Sequence, residues 1–107
     1  MNPCTETCIR CAQACESCAN ACLEEPTVAN MAGCIRLARD CADLCWTAAA
    51  MTARSSDYAG ELCRLCAEVC YACATECELF EVDHCQRCAG ECRLCAEECR
   101  QMTGASA

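Results

Sequence analysis

The sequence contains no lysine and has few aromatic residues, prolines and glycines. Among its 107 residues are one Trp, two Tyr, one Phe, two Pro and four Gly. Positive charge comes only from eight scattered arginines, against 16 acidic residues, so the net charge is −8. Because binding to phosphates requires clustered Lys or Arg side chains, we expect no nucleic-acid partner.

Long apolar runs and a secretory signal are also missing. No stretch approaches the roughly 18 uninterrupted apolar residues of a membrane helix, so we expect no membrane partner. The opening residues, MNPCTETCIR, lack the basic, apolar and small-residue segments of a signal peptide. We therefore expect a soluble cytoplasmic protein with reduced thiols, folded as one domain over 1–107.

Cysteine is what the sequence has in abundance, with 19 residues of this type. The cysteines alternate at spacings of three and four, which keeps side chains on one face of an α-helix. This pattern occurs in four segments separated by polar residues. Asn2 and Pro3 suit the cap and first position of the first helix, and Asp83 with Gln86 has the spacing of a capping box before the last. The segments predict helices over approximately 3–23, 28–53, 56–80 and 84–102.

Four helices of similar length joined by short loops predict an all-α fold, an antiparallel up-down-up-down four-helix bundle with a cysteine-lined core. A repeat of 3.5 residues per turn keeps each stripe turned toward the bundle axis. The second helix is poorer in sulfur, because only three of its seven inward positions are cysteine. These positions are Met31, Cys34, Ala38, Cys41, Cys45, Ala48 and Thr52.

The inward cysteines are the candidate metal ligands. Two further candidates, Met31 and His84, are expected at the same end of an antiparallel bundle. Met1, Met51 and Met102 gather at the opposite end. The cysteines are Cys4, Cys8, Cys11, Cys15, Cys18, Cys22, Cys34, Cys41, Cys45, Cys63, Cys66, Cys70, Cys73, Cys77, Cys85, Cys88, Cys92, Cys95 and Cys99.

Three other roles for the thiols fit the sequence less well. As simple core residues they are a poor choice, because Leu, Ile and Val bury more apolar area. CxxC and CxxxC pairs within a regular helix are badly oriented for disulfides. A thioredoxin-like site needs CxxC at the start of a helix that follows a strand, and no strand is predicted.

Soft thiolate ligands select Cu(I), Zn(II) or iron–sulfur clusters. Zn(II) held by four thiolates leaves a net charge of about −2, so filling the core with such sites would bury about eight negative charges at several kcal/mol per ion. Monovalent Cu(I), in numbers close to the number of thiolates, leaves the core nearly neutral. The charge balance favours many Cu(I) ions per chain.

The segments CIRCAQACESC, CRLCAEVCYAC and CQRCAGECRLC resemble the bacterial copper storage proteins. This resemblance implies a tube of Cu(I) ions, inward cysteines as ligands, and often a tetramer. It also implies Met or His near a mouth of the bundle, which makes the end with Met31 and His84 the expected copper entrance and the end with Met1, Met51 and Met102 the alternative. The lack of a signal peptide is similar to the cytosolic branch of that family. We therefore expect storage without turnover, with Cu(I) delivered by small thiols or a chaperone. The alternatives are a metallothionein-like buffer for Zn(II) and, in a different class, a thiol redox or copper-oxidising enzyme.

Overall fold

In a computed structural model the chain forms four antiparallel α-helices. The structure describes residues 2–106, with side chains described for 2–102, so Met1 lies outside it. A short 3₁₀ turn over Val28–Met31 precedes the second helix. The helices are α1 (Pro3–Cys22), α2 (Ala32–Ala53), α3 (Ala59–Cys77) and α4 (Asp83–Ser106).

Helix α1 packs against α2 and α4, and α3 packs against the same two helices. This arrangement confirms the predicted up-down-up-down bundle, which measures 44 × 18 × 17 Å. One end, here named the His84 end, contains the end of α1 and the start of α4. The other, named the terminal end, contains the start of α1 and the end of α4. Within the described residues, no helix is long and apolar enough to span a membrane.

The helix boundaries differ from the predicted ones where local signals are weak. The residues after Pro26 form a 3₁₀ turn before α2 becomes regular at Ala32. Helix α3 covers Ala59–Cys77 rather than 56–80, because the segment after α2 is used in a turn. Helix α4 continues to Ser106, beyond the predicted 102, since no proline stops it.

The two predicted helix starts have different outcomes. The side chain of Asn2 accepts a hydrogen bond of 2.7 Å from the backbone N–H of Cys4, so the first cap is confirmed. The prediction of a capping box at the start of α4 is wrong. Gln86 donates instead to the backbone carbonyl of Phe80 at 2.7 Å, which ties α4 to the preceding loop.

The core consists almost entirely of cysteine and alanine. Every cysteine is at most 1% exposed, so the inward direction of the stripes is confirmed. Large aliphatic residues such as Leu37, Leu62 and Val69 are only partly buried around this core. The bundle therefore has a sulfur interior surrounded by an aliphatic and polar shell.

In each helix, the residue directly after an inward position faces one of the two neighbouring helices. These positions join α1 to α2 and α3 to α4. Glu16 of α1 forms an ion pair with Arg39 of α2, and Arg93 of α4 donates hydrogen bonds of 2.6 and 2.7 Å to Glu78 beside α3. Alanine at this position lets the backbones approach closely, and α1 packs most extensively on α2, as α3 does on α4. The buried alanines that follow a cysteine are Ala12, Ala19, Ala42, Ala67, Ala74, Ala89 and Ala96.

The residue directly before an inward position faces the second neighbouring helix. These positions join α1 to α4 and α2 to α3. Arg10 of α1 forms an ion pair with Glu91 of α4 at 3.5 Å. A Cβ atom added to Gly33 of α2 would lie 3.2 Å from the Glu76 carboxylate of α3. We call the contacts between α1 and α4 and between α2 and α3 the α1/α4 and α2/α3 seams. Neither seam is formed by the seven alanines that follow a cysteine, and both are packed less extensively than the α1/α2 and α3/α4 contacts.

The turn that ends helix α2 contains Ser55 in the left-handed region, at φ 54°. The N–H of Ser56 donates to the carbonyl of Met51 at 2.9 Å, and that of Ser55 to Thr52 at 3.2 Å, which is the Schellman ending that favours glycine. We expect Ser55→Gly to stabilise the apo protein by about 0.5–1 kcal/mol, because relief of the left-handed strain exceeds the added chain entropy. Urea unfolding of the reduced protein measures this.

The matched control for Ser55→Gly is the neighbouring residue. Ser56 does not have a positive φ, and its hydroxyl accepts a hydrogen bond from the N–H of Tyr58 at 3.2 Å. Ser56→Gly should therefore lower the free energy of unfolding. An equal effect of both substitutions would show that the conformation of Ser55 is not strained.

Candidate metal centre

The cysteine sulfurs form a network that continues from helix to helix. Neighbouring sulfurs on one helix are close together, as for Cys4 and Cys8 at 3.9 Å. Sulfurs on facing helices are as close or closer, as for Cys41 and Cys70 at 3.5 Å. The helical repeat therefore supplies pairs of ligands, and bundle packing brings the pairs together.

Several groups of four sulfurs lie within 4.8 Å of one another, and all are buried. Some sulfurs belong to two groups: Cys11 and Cys41 join two of them, and Cys15 and Cys92 join the next two. Such shared sulfurs are placed to bridge metal ions. The groups include Cys8, Cys66, Cys95 and Cys99; Cys11, Cys41, Cys45 and Cys70; Cys11, Cys15, Cys41 and Cys92; Cys15, Cys73, Cys88 and Cys92; and Cys18, Cys22, Cys34 and Cys85.

The sulfur separations match those around a thiolate-bound metal ion. With a metal–sulfur bond of about 2.3 Å, the sulfurs of a tetrahedral site lie about 3.8 Å apart and those of a trigonal site about 4.0 Å apart. The sulfur of Cys15 lies 3.6 Å from that of Cys92 and 3.7 Å from that of Cys88. Metal ions can therefore be accommodated with small side-chain adjustments and without repacking of helices.

Helix α2 contributes few sulfurs at the terminal end of the bundle. Its inward positions there are Ala48 and Thr52, both buried. The hydroxyl of Thr52 donates to the carbonyl of Ala48 at 2.8 Å and lies 2.7 Å from the hydroxyl of Thr5. This part of α2 is a wall without sulfur, closed by satisfied hydroxyl groups, as its sequence predicted.

His84 lies against the sulfur network at the end named after it. Its Nδ1 atom is 3.5 Å from the sulfur of Cys18 and 3.6 Å from that of Cys85. Its Nε2 atom is 2.9 Å from a carboxylate oxygen of Glu25. When Glu25 accepts a hydrogen bond from Nε2–H, the lone pair of Nδ1 points at the two sulfurs, which is the orientation of a metal ligand.

Sequence reasoning placed His84 near Cys85 but did not find its other two neighbours. Cys18 lies one helical turn before the end of α1, and Glu25 lies in the loop that follows α1. In the sequence, Glu25 lies directly before Pro26, and this position indicates only the end of a helix. No signal in the sequence identifies this contact, because it depends on how a loop folds over a neighbouring helix.

The methionines lie at both ends of the bundle. Met31 is 1% exposed at the His84 end, and the hydroxyl of Thr27 lies 3.8 Å from its sulfur. At the terminal end the sulfur of Met102 lies 3.9 Å from the side-chain amide of Asn2. Both ends therefore present a thioether near the sulfur column, but only the His84 end adds an imidazole.

Burial and hydrogen bonds both shift the pKa values of the thiols. Burial raises the pKa of Cys22, and it raises the pKa of Cys85 to about 12. Hydrogen bonds from the thiols of Cys18 and Cys77 lower the pKa of Cys34 to about 3. A thiolate is therefore stabilised where thiol neighbours donate to it, and a metal ion would take over this role as more thiols lose protons.

Comparison with known proteins agrees with this geometry. The profile of the copper storage protein family, Csp, matches residues 1–104. An uncharacterized cysteine-rich protein of Bacillus subtilis, YhjQ, is 48% identical over 86 residues, covering 80% of each chain.

Solved structures of similar proteins have the same fold. Apo-Csp3, copper storage protein 3 of Bacillus subtilis, is 48% identical with a TM-score of 0.89, over 94% of this chain and 95% of that one. A cytosolic copper storage protein of Streptomyces lividans, solved with five coppers, is 44% identical with a TM-score of 0.90, over 94% and 89% of the two chains. Since the family profile and these relatives span nearly the whole chain, this protein belongs to the copper storage protein family.

Proposed function

We propose that this protein stores Cu(I) in the cytoplasm and holds many ions per chain on core thiolates. The observation that carries the proposal is the continuous column of buried sulfurs, whose facing members lie 3.5–3.9 Å apart across the helices. Two relatives support it: the Bacillus subtilis protein has been solved with Cu(I) bound, and the Streptomyces lividans protein loaded with 10 copper equivalents.

Charge favours Cu(I) over Zn(II) in this core. All 19 cysteines are buried, and no Arg side chain is buried among them in the described part of the chain. Isolated zinc–tetrathiolate sites would leave uncompensated negative charge in the interior, where a buried charge costs several kcal/mol. A nearly equal number of Cu(I) ions neutralises the thiolates, and the shared sulfurs allow bridging.

We further propose the roles of the individual ligands. All nineteen cysteines hold copper, and His84 together with Met31 forms the entrance at the His84 end. The support for His84 is the direction of Nδ1 toward Cys18 and Cys85. The support for Met31 is its place immediately before α2 at the same end, with its thioether buried.

The test of the function is an anaerobic titration of the fully reduced protein with Cu(I), against a chromophoric chelator that competes for the metal. Protein and metal are quantified separately, and Zn(II) is run in parallel. Saturation at well over about ten tightly bound Cu(I) per chain supports storage. A plateau at about four ions, or bound Zn(II) that Cu(I) fails to displace, would favour a zinc buffer.

The burial of the thiols argues against a redox enzyme. Such an enzyme needs a few accessible thiols of low pKa, whereas every cysteine here is at most 1% exposed. We therefore propose binding without turnover. We also propose a homo-oligomer, with a tetramer implied by the family resemblance. Light scattering coupled to size exclusion measures the assembly directly.

Replacing His84 should slow loading without changing capacity. We expect His84→Ala to reduce the rate of Cu(I) uptake at least about tenfold, because the group that holds an incoming ion beside Cys18 is removed. Met31→Leu, which keeps the volume but removes the thioether, should slow uptake by a smaller factor. Stopped-flow absorbance of the copper–thiolate bands measures both rates.

The control for the entrance variants is Gln13→Ala, a change at an exposed position of α1 outside the sulfur network. Its uptake rate should equal that of the wild type. Wild-type rates in both entrance variants would place the entrance at the terminal end, beside Met102. A reduced plateau in His84→Ala would show that the imidazole is a storage ligand instead.

A further inference from the structure

The two less extensively packed seams of the bundle differ in what fills them. At the α2/α3 seam, the positions that precede inward residues carry large, partly buried aliphatic side chains, including Leu44 and Val69. At the α1/α4 seam, Ala14 and Ser17 precede inward residues of α1, and Gly90 lies on the facing side of α4. These small residues leave an open groove of about 580 Å³.

The floor of the groove is part of the sulfur network. Cys18 and Cys88 both line it and are at most 1% exposed, so a thiol reaches the groove only when its side chain turns outward, and His84 lies at one end. The sulfur of Cys18 is 3.8 Å from that of Cys85, and the sulfur of Cys88 is 3.7 Å from that of Cys15. An ion delivered at this floor would therefore reach the core through direct sulfur contacts.

Two opposite charges stand on the rim of the groove. Arg87 lines it and makes no ion pair with any residue of the described part of the chain. Glu91 also lines it and is held by Arg10 at 3.5 Å. The pair offers one site for a carboxylate and one for an ammonium group.

We propose that this groove binds a zwitterionic low-molecular-weight thiol that carries Cu(I), and that the carrier delivers the ion between α1 and α4 to the entrance residue His84 at one end of the groove. The inference rests on the proposed storage function and names the carrier and its route. The volume lies within the range of about 300–1,000 Å³ that is usual for small-molecule sites, and the two opposite charges on the rim suit a zwitterion. Arg87 binds the carrier's carboxylate, and Glu91 binds its ammonium group.

The transfer is a ligand exchange in which copper remains Cu(I). The thiol of Cys18 loses its proton as its sulfur bonds to the ion, and the bond between copper and the carrier sulfur breaks. The leaving carrier thiolate takes up a proton, so charge and atoms balance. The ion then passes to Cys85 and the deeper sulfurs, which frees Cys18 for the next carrier.

The first test fills the groove while every ligand stays in place. An added Cβ at Gly90 would meet no atom within 4 Å, so the backbone tolerates Gly90→Trp. We expect transfer from preformed Cu(I)–glutathione to slow at least about tenfold, because the indole occupies the volume where the carrier must bind beside Cys18. The final number of bound ions should be unchanged.

The control is Gln13→Trp, which adds the same ring at an exposed position of α1 that does not line the groove. Its transfer rate should equal that of the wild type. Equal rates in Gly90→Trp and Gln13→Trp would overturn the proposal. If the wild type itself binds only a few ions, the storage function fails, and that result is distinct from an unchanged rate at full capacity.

The second test separates recognition of the carrier from simple access. Arg87→Glu should slow transfer from Cu(I)–glutathione about tenfold at low ionic strength, with a smaller effect at high salt. Transfer from a Cu(I)–acetonitrile complex, which has no carboxylate, should keep its wild-type rate in this variant. Equal slowing with both donors would overturn the assignment of a zwitterionic carrier.

Discussion

Loading with Cu(I) is expected to raise the midpoint of thermal unfolding by more than about 30 °C. An ion present at about a thousand times its dissociation constant adds about 4 kcal/mol to the folded state. Each kcal/mol shifts the midpoint of a domain of this size by about 4–8 °C. Two such ions add about 8 kcal/mol, which corresponds to a shift of more than about 30 °C. Because many more than two ions are expected per chain, a shift of this size remains even if binding to the unfolded chain offsets most of the total gain.

The physical basis of this increase is the composition of the core. Cysteine and alanine bury less apolar area than the leucine and isoleucine of ordinary bundles, so the apo protein gains little from burial. Copper ions bound between sulfurs such as those of Cys45 and Cys95, 3.7 Å apart on α2 and α4, would link helices directly. The metal therefore supplies the interhelical stabilisation that this core lacks.

Circular dichroism at 222 nm, recorded anaerobically on reduced apo and loaded protein, measures the two midpoints. Removing the copper with excess Cu(I) chelator should return the midpoint to its apo value, which controls for irreversible modification of the thiols. Midpoints within a few degrees of each other would contradict the role of copper as an interhelical link.

Affinity for Cu(I) is expected to fall about tenfold per pH unit as the pH is lowered, hence about 100-fold between pH 8 and pH 6. Burial raises the pKa of Cys22, and it raises that of Cys85 to about 12, so these thiols are protonated throughout this interval. With nearly as many ions as thiols, each ion displaces about one proton. Protons compete with copper, so the loss of affinity is on the acid side.

Chelator competition at several pH values measures this slope, and a weakly buffered indicator counts the protons released on loading. A flat affinity profile, with no proton release at any stage of filling, would exclude thiolate ligation as the basis of storage.

The metal site was predictable from the sequence to the extent that it depends on single helices. The spacing of Cys63, Cys66 and Cys70 already places their sulfurs on one face, and burial of that face is confirmed. The partners of these sulfurs across the bundle were not predictable, because a repeat shared by all four helices suits many registers equally. The contact between the sulfurs of Cys45 and Cys66, at 3.6 Å, results from the one register that the bundle adopts.

By itself the sequence determined the four helices, the inward direction of every sulfur and the sulfur-poor second helix, and its ligand chemistry predicted a soft monovalent ion. These properties follow from local periodicity and ligand chemistry, which act over a few residues. Only the tertiary structure decided that His84 lies between Cys18 and Cys85 with Glu25 behind it, and that α1 and α4 leave an open groove. Those features depend on which helix faces meet and on how loops fold over them, and such long-range choices have no signal in the local repeat.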